Sequence, residues 1–190
     1  MEEVTVKVLL LGDEKVGKTT FLSRISGGSG ALEGNVPITL LRDIDQPFVF
    51  EIRNRRRTYR IEFYDTSCPD NWRLLDPDLV LICYDISQRP SLINMRRVWI
   101  NEVHSTFQTS DHLPVIVVGL KRDLRSESDP GSIHPQEAYK VSQEMRVDKY
   151  VECSAVTGEL LKLAFEEICN TASRTKTVTG AQSEGGCVMS

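Results

Sequence analysis

Residues 8–19 read VLLLGDEKVGKT, an apolar run that leads into a glycine-rich stretch. The residues from Gly12 to Thr19 match the phosphate-binding pattern G-x-x-x-x-G-K-[ST] at every fixed position. The apolar run is typical of a strand buried on both faces, and the residues after Gly17 fit the start of a helix. A glycine-rich turn without a ligand is the alternative, but the order strand, loop, helix is the context that the pattern requires.

The residue types in this loop predict a site for phosphate and a divalent cation. The two glycines let the backbone wrap a phosphate, and the N–H groups of the loop point inward. Lys18 supplies a positive charge, Thr19 offers a hydroxyl to Mg²⁺, and the following helix adds its positive N-terminal end. The predicted phosphate-binding residues are Asp13, Glu14, Lys15, Val16, Gly17, Lys18, Thr19 and Thr20.

Apolar periodicity predicts that strands and helices alternate along the chain. We expect strands at 4–11, 48–53, 59–64, 79–84, 115–118 and 149–153, the second and third joined by a turn around Asn54. We expect helices at 18–26, 90–107 and 135–145, and a last helix that begins near Leu161. This order predicts an α/β fold with about six strands in a mostly parallel sheet and helices on both faces. Ligands of such sheets bind at the carboxyl ends of the strands.

Length and composition favour a single domain. The chain has 190 residues, 40% of them hydrophobic, and no stretch approaches the ~20 apolar residues of a membrane span. We place the domain at residues 1–171 and expect a flexible tail at 172–190, where the sequence becomes polar and small. The net charge of −4 argues against nucleic acid as the main partner. Five scattered cysteines without a CxxC pair argue against a disulfide framework and a zinc site.

A second motif follows the apolar strand predicted at 115–118. Lys121 and Asp123 occupy two of the three fixed positions of N/T-K-x-D. The Asp123 carboxylate can accept two hydrogen bonds from a base with adjacent N–H donors, which guanine has and adenine lacks. The Lys121 stem can cover the flat face of that base. The motif alone is weak, but its place after a phosphate loop makes guanine the favoured base.

Together these motifs resemble those of the Ras superfamily of small GTPases, with the Rho family the most similar. Asp65-Thr66 resembles the start of the D-T-A-G motif of that superfamily, and Glu152-Cys153-Ser154-Ala155 resembles its E-C/T-S-A loop. Trp99 and the run Asp123-Leu124-Arg125 also resemble Rho members. The resemblance covers about residues 4–171. The segment between Asp65 and the strand predicted at 79–84, which corresponds to the second switch, is several residues shorter than in Rho or Ras relatives and leaves little room for the usual switch helix. A Miro-type GTPase domain, a second similar family, has a comparably eroded second switch.

The resemblance implies a Ras-like G domain that binds GTP or GDP with Mg²⁺ and switches between two states. Ser154 and Ala155 would then contact the guanine together with Lys121 and Asp123, and Asp65 and Thr39 would join Thr19 at the metal. The implied partners are effector and regulator proteins, among them an exchange factor, and the chain is expected to be a monomer. Whether an activating protein acts on it stays open.

Several residues depart from the family pattern at the position of the γ-phosphate. Cys68 and Pro69 stand where the family has a Gly and the Gln that orients the attacking water, and Glu14 stands where a small residue is usual. Leu120 replaces the Asn or Thr that ties the base loop to the phosphate loop. No confident catalytic residue remains, so we expect slow or absent intrinsic hydrolysis.

Three functions are compatible with these motifs. The first is an atypical signalling GTPase with impaired hydrolysis, which the intact Lys18, Thr19, Asp65 and Asp123 favour. The second is a pseudo-GTPase scaffold that holds GTP permanently or binds no nucleotide, which the departures favour. A P-loop ATPase or small-molecule kinase ranks lower, because neither needs the guanine motifs.

The sequence ends in Cys187-Val188-Met189-Ser190, a C-a-a-X box whose last residue favours farnesylation of Cys187. One lipid chain gives only reversible membrane binding unless a second signal helps. A basic cluster at Arg53, Arg55, Arg56, Arg57 and Arg60 is either a solvated turn or a contact for acidic headgroups or an acidic partner. We therefore expect a cytoplasmic protein that associates peripherally with the cytoplasmic face of a plasma membrane or endomembrane.

Overall fold

The computed structural model describes residues 2–28, 30–34, 36–53, 57–67, 70–107 and 113–183. Its strands are β1 (Glu2–Leu11), β2 (Phe48–Arg53), β3 (Arg57–Asp65), β4 (Leu79–Asp85), β5 (Val115–Leu120) and β6 (Lys149–Glu152). Its α-helices are α1 (Lys18–Ser26), α2 (Arg89–Asn94), α3 (Ile100–Thr106), α4 (Pro135–Glu144) and α5 (Leu161–Ser183), with a π-helical segment at Met95–Trp99 between α2 and α3. Short 3₁₀ helices lie at Ala31–Glu33, Asp43–Asp45, Trp72–Leu74 and Arg122–Leu124.

The strands form one six-stranded sheet in the order β2-β3-β1-β4-β5-β6. All neighbouring pairs are parallel except β2 and β3, which are antiparallel, with Phe48 opposite Phe63. The predicted fold class is confirmed, while the turn predicted around Asn54 lies outside the described residues. Because β1 pairs with both β3 and β4, the strand that leads into the glycine-rich loop lies in the interior of the sheet.

Apolar side chains on the two faces of the sheet form two core clusters. Successive residues of β1 alternate between them, so that Val8 and Leu10 belong to one cluster and Leu9 and Leu11 to the other. The first cluster lies under α1 and α5 and includes Phe21, Leu22, Ile25, Leu161, Ala164 and Ile168. The second lies under the helices at 89–106 and α4 and includes Leu92, Met95, Ile100, Val103 and Ala138. Burial on both faces explains the continuous apolar runs of β4, of β5 and of residues 8–11 at the end of β1.

The carboxyl ends of four central strands meet along one edge of the sheet. Leu11, Asp65, Asp85 and Leu120 are the last residues of β1, β3, β4 and β5. The sheet therefore brings the glycine-rich loop, Asp65 and the Lys121-x-Asp123 motif together from distant parts of the chain. Within the described residues, no helix is both long and apolar enough to cross a bilayer.

Helix α5 continues past the expected end near Thr171 and reaches Ser183. Two contacts account for the longer helix. Ala172 is fully buried in the first core cluster, and the Lys176 ammonium forms an ion pair with Asp78 at 2.6 Å. Residues 172–183 therefore form a helix despite their polar composition, because Ala172 and Lys176 attach the beginning of this extension to the domain.

Shortening the chain tests the contribution of this extension. A chain that ends at Thr171 should lose about 1–2 kcal/mol of its free energy of unfolding relative to one that ends at Ser183, because it lacks the buried Ala172 and the Lys176–Asp78 pair. Urea denaturation followed by circular dichroism measures the difference. Equal midpoints for the two chains would mean that residues 172–183 do not contribute to the stability of the domain.

Candidate functional site

The loop between β1 and α1 places a lysine ammonium among backbone carbonyls. The Nζ of Lys18 donates to the carbonyl oxygens of Gly12 at 2.8 Å and Asp13 at 2.9 Å, and the residue is only 7% exposed. Gly12 has a φ of 143°, and an added Cβ would lie 2.3 Å from the carbonyl oxygen of Cys83 in β4. No larger residue fits there, so this glycine is required by both its backbone conformation and the neighbouring strand.

A cavity of about 760 Å³ opens above this loop. The residues that line it are Gly12, Asp13, Glu14, Lys15, Gly17, Lys18, Thr19, Thr20, Thr66, Ser67, Trp72, Arg73, Trp99 and Lys121. Most of the predicted phosphate-binding residues thus share one cavity, whose dimensions and cationic lining suit a phosphorylated ligand. The predicted residue Val16 is instead buried in the core.

The Asp13 carboxylate is bound by two donors from the helix at 89–106. Asn94 Nδ2 donates to Asp13 Oδ2 at 2.8 Å, and the indole N–H of Trp99 donates to Asp13 Oδ1 at 2.7 Å. Residues five apart on an α-helix point about 140° away from each other. The π-helical segment at Met95–Trp99 wraps more residues into a turn, which allows both side chains to reach one carboxylate.

Trp72 and Arg73 form the part of the cavity wall that follows β3. The Arg73 guanidinium lies 4.3 Å from the centroid of the Trp72 ring and forms an ion pair with Glu102 at 3.0 Å. Sequence analysis did not select these residues, since a lone Trp-Arg pair in a short loop has no fixed spacing to a motif. This part of the wall is the single 3₁₀ turn Trp72–Leu74, because the segment between β3 and β4 is too short for a longer helix.

The predicted metal ligands Thr19 and Asp65 lie side by side. Thr19 Oγ1 donates to Asp65 Oδ2 at 3.3 Å, and Asp65 is fully buried. Asp65 Oδ1 accepts from the backbone N–H of Ser67 at 2.7 Å and from Gln46 Nε2 at 2.9 Å. Within the described residues, no cluster of three or more His, Cys, Asp or Glu side chains could hold a metal. A hydroxyl and a carboxylate beside a phosphate site nevertheless fit Mg²⁺, which binds few protein oxygens and completes its shell with phosphate and water.

The third predicted metal ligand, Thr39, is not in this group. Its side chain is exposed, and it does not line the cavity. Glu14 is exposed at the cavity and adds a negative charge there. Cys68, Pro69 and Cys187 lie outside the described residues.

Lys121 makes the connection between the base loop and the phosphate loop that Leu120 lacks. The Lys121 ammonium donates to the carbonyl oxygen of Lys15 at 2.7 Å and to Asp85 Oδ2 at 2.8 Å. Leu120 itself is 2% exposed and belongs to the first core cluster. The two loops therefore stay connected despite Leu120, through the ammonium of the neighbouring Lys121, which Asp85 also holds in place.

The predicted base-binding residues lie together beyond Lys121. The Ser154 hydroxyl donates to Asp123 Oδ1 at 2.5 Å and also accepts from the backbone N–H of Thr157 at 3.0 Å. Asp123 is exposed, so a ligand can reach its carboxylate. This group holds the Asp123 side chain in a fixed orientation next to the Ser154-Ala155 loop.

Arg24 connects the loop that contains Ser154 and Ala155 to α1 and to the segment before β2. It is 3% exposed, and its guanidinium donates to the carbonyl oxygens of Ala155 at 2.5 Å, Val36 at 2.5 Å and Val156 at 3.1 Å. Sequence analysis missed Arg24, although a charged residue among the buried residues of α1 could have indicated it.

The backbone of Gly34 lies against this same Ser154-Ala155 loop. It has a φ of 78°, and an added Cβ would lie 2.0 Å from the Thr157 carbonyl oxygen. The segment at 31–36 therefore packs directly on the loop that contains Ser154 and Ala155.

The described cysteines behave as core residues. Cys83, Cys153 and Cys169 are free and buried. Burial raises the pKa of the Cys83 and Cys169 thiols to about 12 and also raises that of Cys153. These thiols therefore stay protonated at neutral pH and do not act as nucleophiles.

Comparison with known proteins agrees with this geometry. A model of the Ras family matches residues 7–174, which include the glycine-rich loop, Asp65 and both base motifs. The chain belongs to the Ras family. Within this family the chain is Rho-like. It is 29% identical over 184 residues to the Ras-like GTP-binding protein RhoL of Drosophila melanogaster, and the aligned region covers 94% of this chain and 92% of the relative.

Two further relatives also show that the chain is Rho-like. The Rho-related protein racI of Dictyostelium discoideum is 27% identical, with 88% of this chain and 86% of the relative covered. The GTP-binding protein rho1 of Schizosaccharomyces pombe is 27% identical, with 98% of each chain covered. The similarity thus extends over most of each sequence.

The contact between Trp99 and Asp13 gives a testable role for the π-helical segment in this Rho-like GTPase. Trp99→Phe keeps an aromatic ring, smaller than the indole, but removes the N–H donor, so we expect it to weaken GDP binding about tenfold, because the phosphate loop loses a bond to a charged group. Titration with a fluorescent GDP analogue measures the change.

A double-mutant cycle isolates that hydrogen bond. In an Asp13→Ala background the carboxylate acceptor is absent, so Trp99→Phe should cause no further loss of affinity. A tenfold loss in that background as well would assign the effect to packing of the ring rather than to the bond.

Proposed function

We propose that this protein is an atypical small GTPase that binds GTP and GDP with Mg²⁺ and acts as a membrane-associated signalling switch with slow or impaired hydrolysis. The observation that carries the proposal is the position of Lys18, whose ammonium group is held by the loop carbonyls at a cavity large enough for a phosphorylated small molecule. The Ras family match and the Rho-like relatives support the guanine nucleotide as the ligand.

Each group of residues has a part in this function. Backbone N–H groups of residues 13–20 and the Lys18 ammonium would bind the phosphates, and Asp123 with Ser154 would bind the base edge. Thr19 and Asp65 would hold Mg²⁺. Bound Mg²⁺ would neutralise charge on the β- and γ-phosphate oxygens.

Two features support slow hydrolysis. The lining residues within the described part of the chain include no glutamine that could orient a water, and Glu14 adds a carboxylate at the same cavity. Cys68 and Pro69 stand in the sequence where the family has its Gly and Gln. A carboxylate near the γ-phosphate would repel its oxygens and disfavour the charge that develops during transfer.

A pseudo-GTPase scaffold is the second candidate function. The departures from the family pattern favour it, because Cys68 and Pro69 occupy the positions of the family's Gly and Gln and Glu14 places a carboxylate at the phosphate cavity. Such a protein would still present a Ras-like surface to partner proteins. Effector and regulator proteins, including an exchange factor, belong to both proposals, as does a monomeric state.

Identifying the nucleotide carried by freshly purified protein separates these functions. The proposed GTPase should contain about one guanine nucleotide per chain, mostly GTP if hydrolysis is slow, as released by acid and identified by chromatography. Asp123→Ala should lose most of that nucleotide without a change in its circular dichroism spectrum, because its side chain is exposed.

The other outcomes are equally informative. GDP alone in the unsubstituted protein would contradict impaired hydrolysis. No nucleotide, and no uptake of added GTP with Mg²⁺, would favour the scaffold. Adenine nucleotide would instead favour a P-loop ATPase or small-molecule kinase.

We also propose peripheral attachment to the cytoplasmic face of a membrane through a prenyl group on Cys187, supported by the C-a-a-X box. In cell fractionation, part of the full chain should sediment with membranes. Cys187→Ser should shift it to the soluble fraction, because the variant lacks the thiol that is alkylated. Cys169→Ser is the matched control, since Cys169 is buried in α5. Equal membrane fractions for the Cys187→Ser variant and the unsubstituted chain would contradict this attachment.

A further inference from the structure

Gln46 forms a two-point contact with Asp65, a candidate Mg²⁺ ligand. Its Oε1 accepts from the backbone N–H of Asp65 at 2.8 Å, and its Nε2 donates to Asp65 Oδ1 at 2.9 Å. The two bonds need opposite ends of the carboxamide, so they determine the orientation of the side chain. Gln46 follows the 3₁₀ helix Asp43–Asp45 and is half-buried.

This contact determines which oxygen of Asp65 faces Thr19. Oδ1 is occupied by Gln46 Nε2 and by the Ser67 N–H, so Oδ2 is the oxygen that is directed at the Thr19 hydroxyl. The Thr19–Asp65 distance of 3.3 Å is longer than an ordinary O–H···O hydrogen bond of about 2.7–2.8 Å. Because this bond is weak, Thr19 Oγ1 and Asp65 Oδ2 both stay available to a cation, whereas Asp65 Oδ1 is held by its two donors.

The segment between Val36 and Gln46 was expected to contribute Thr39 to the metal. Thr39 is exposed and away from the cavity, whereas Gln46 comes from the same segment and contacts a candidate ligand. Val36, at the other end of the segment, is bound through its carbonyl to Arg24. One end is therefore attached through Arg24 to the Ser154-Ala155 loop, and the other end to the candidate metal ligand Asp65.

We propose that Gln46 is a positioning residue of the Mg²⁺ site, which orients the Asp65 carboxylate and so makes nucleotide retention depend on the conformation of residues 36–46. This inference rests on the proposed function, because it requires a guanine nucleotide that is retained with Mg²⁺. Groups that hydrogen-bond a ligating carboxylate commonly change metal affinity about 10–100-fold when they are removed. Gln46 does not touch the cation itself.

The test measures how Mg²⁺ slows the release of a fluorescent GDP analogue. Gln46→Met has nearly the same length but no hydrogen-bonding groups, so Asp65 Oδ1 loses one of its donors. We expect the Mg²⁺ concentration for half-maximal slowing to rise about tenfold, with a release rate at saturating Mg²⁺ close to that of the unsubstituted protein. A role limited to supporting the sheet would lower the melting temperature without moving the Mg²⁺ dependence.

Two further variants act as controls. Gln143→Met makes the same substitution at an exposed glutamine of α4 and should leave the Mg²⁺ dependence unchanged. Thr39→Ala should also leave it unchanged, because the Thr39 side chain is exposed, whereas Gln46 bonds directly to Asp65. If Gln46→Met does not fold, Gln46→Asn keeps the carboxamide but is one methylene shorter, and a severalfold rise is expected.

Three outcomes would overturn the proposal in distinguishable ways. An unchanged Mg²⁺ dependence in the Gln46 variants would remove the positioning role while leaving nucleotide binding intact. A shift in Thr39→Ala without one in Gln46→Met would assign the role to Thr39. A chain that retains no GDP analogue at any Mg²⁺ concentration would contradict the proposed function itself, and with it this inference.

Discussion

The Lys18 ammonium and the two loop carbonyls that hold it are the interaction on which the rest of the site depends. A largely buried charge needs several partners, and here they come from Gly12 and Asp13 rather than from a carboxylate. Asp13 in turn is held by Asn94 and Trp99, and Gly12 by contact with the backbone of β4. The position of one cation thus depends on a strand, a loop and the helix at 89–106.

A second set of contacts connects the parts of the site that surround this loop. Lys121 joins the phosphate loop to the loop that contains Asp123, and Ser154 bonds to Asp123 from the loop after β6. Arg24 joins this second loop to Val36, where the segment 36–46 begins. Gln46 then joins the end of that segment to Asp65. Because each of these side chains bonds to at least two groups, a displacement of one segment changes the hydrogen bonds of the next.

Sequence reasoning identified the parts of the site whose residues follow one another closely. The phosphate loop and the Lys121-x-Asp123 motif are local patterns that follow buried strands, so periodicity and spacing predict both their presence and their common edge of the sheet. Sequence patterns did not indicate the roles of Gln46, Arg24 and Asn94, because these roles depend on contacts between residues far apart in the chain. The full length of α5 was not predicted, because composition does not show that Ala172 is buried.

The π-helical segment at Met95–Trp99 accommodates the five-residue spacing between Asn94 and Trp99. Deleting one residue there would leave the two residues four apart, and in an ordinary α-helix residues four apart lie only about 40° from each other around the axis, so both side chains would still face Asp13. Adding one residue would instead place them six apart, about 120° from each other in an α-helix, and one of them would turn away from Asp13 although every amino acid needed for the contact was still present. The contact with the nucleotide loop is therefore compatible with the loss of one residue between positions 94 and 99 but not with the gain of one, a constraint on chain length rather than on residue type.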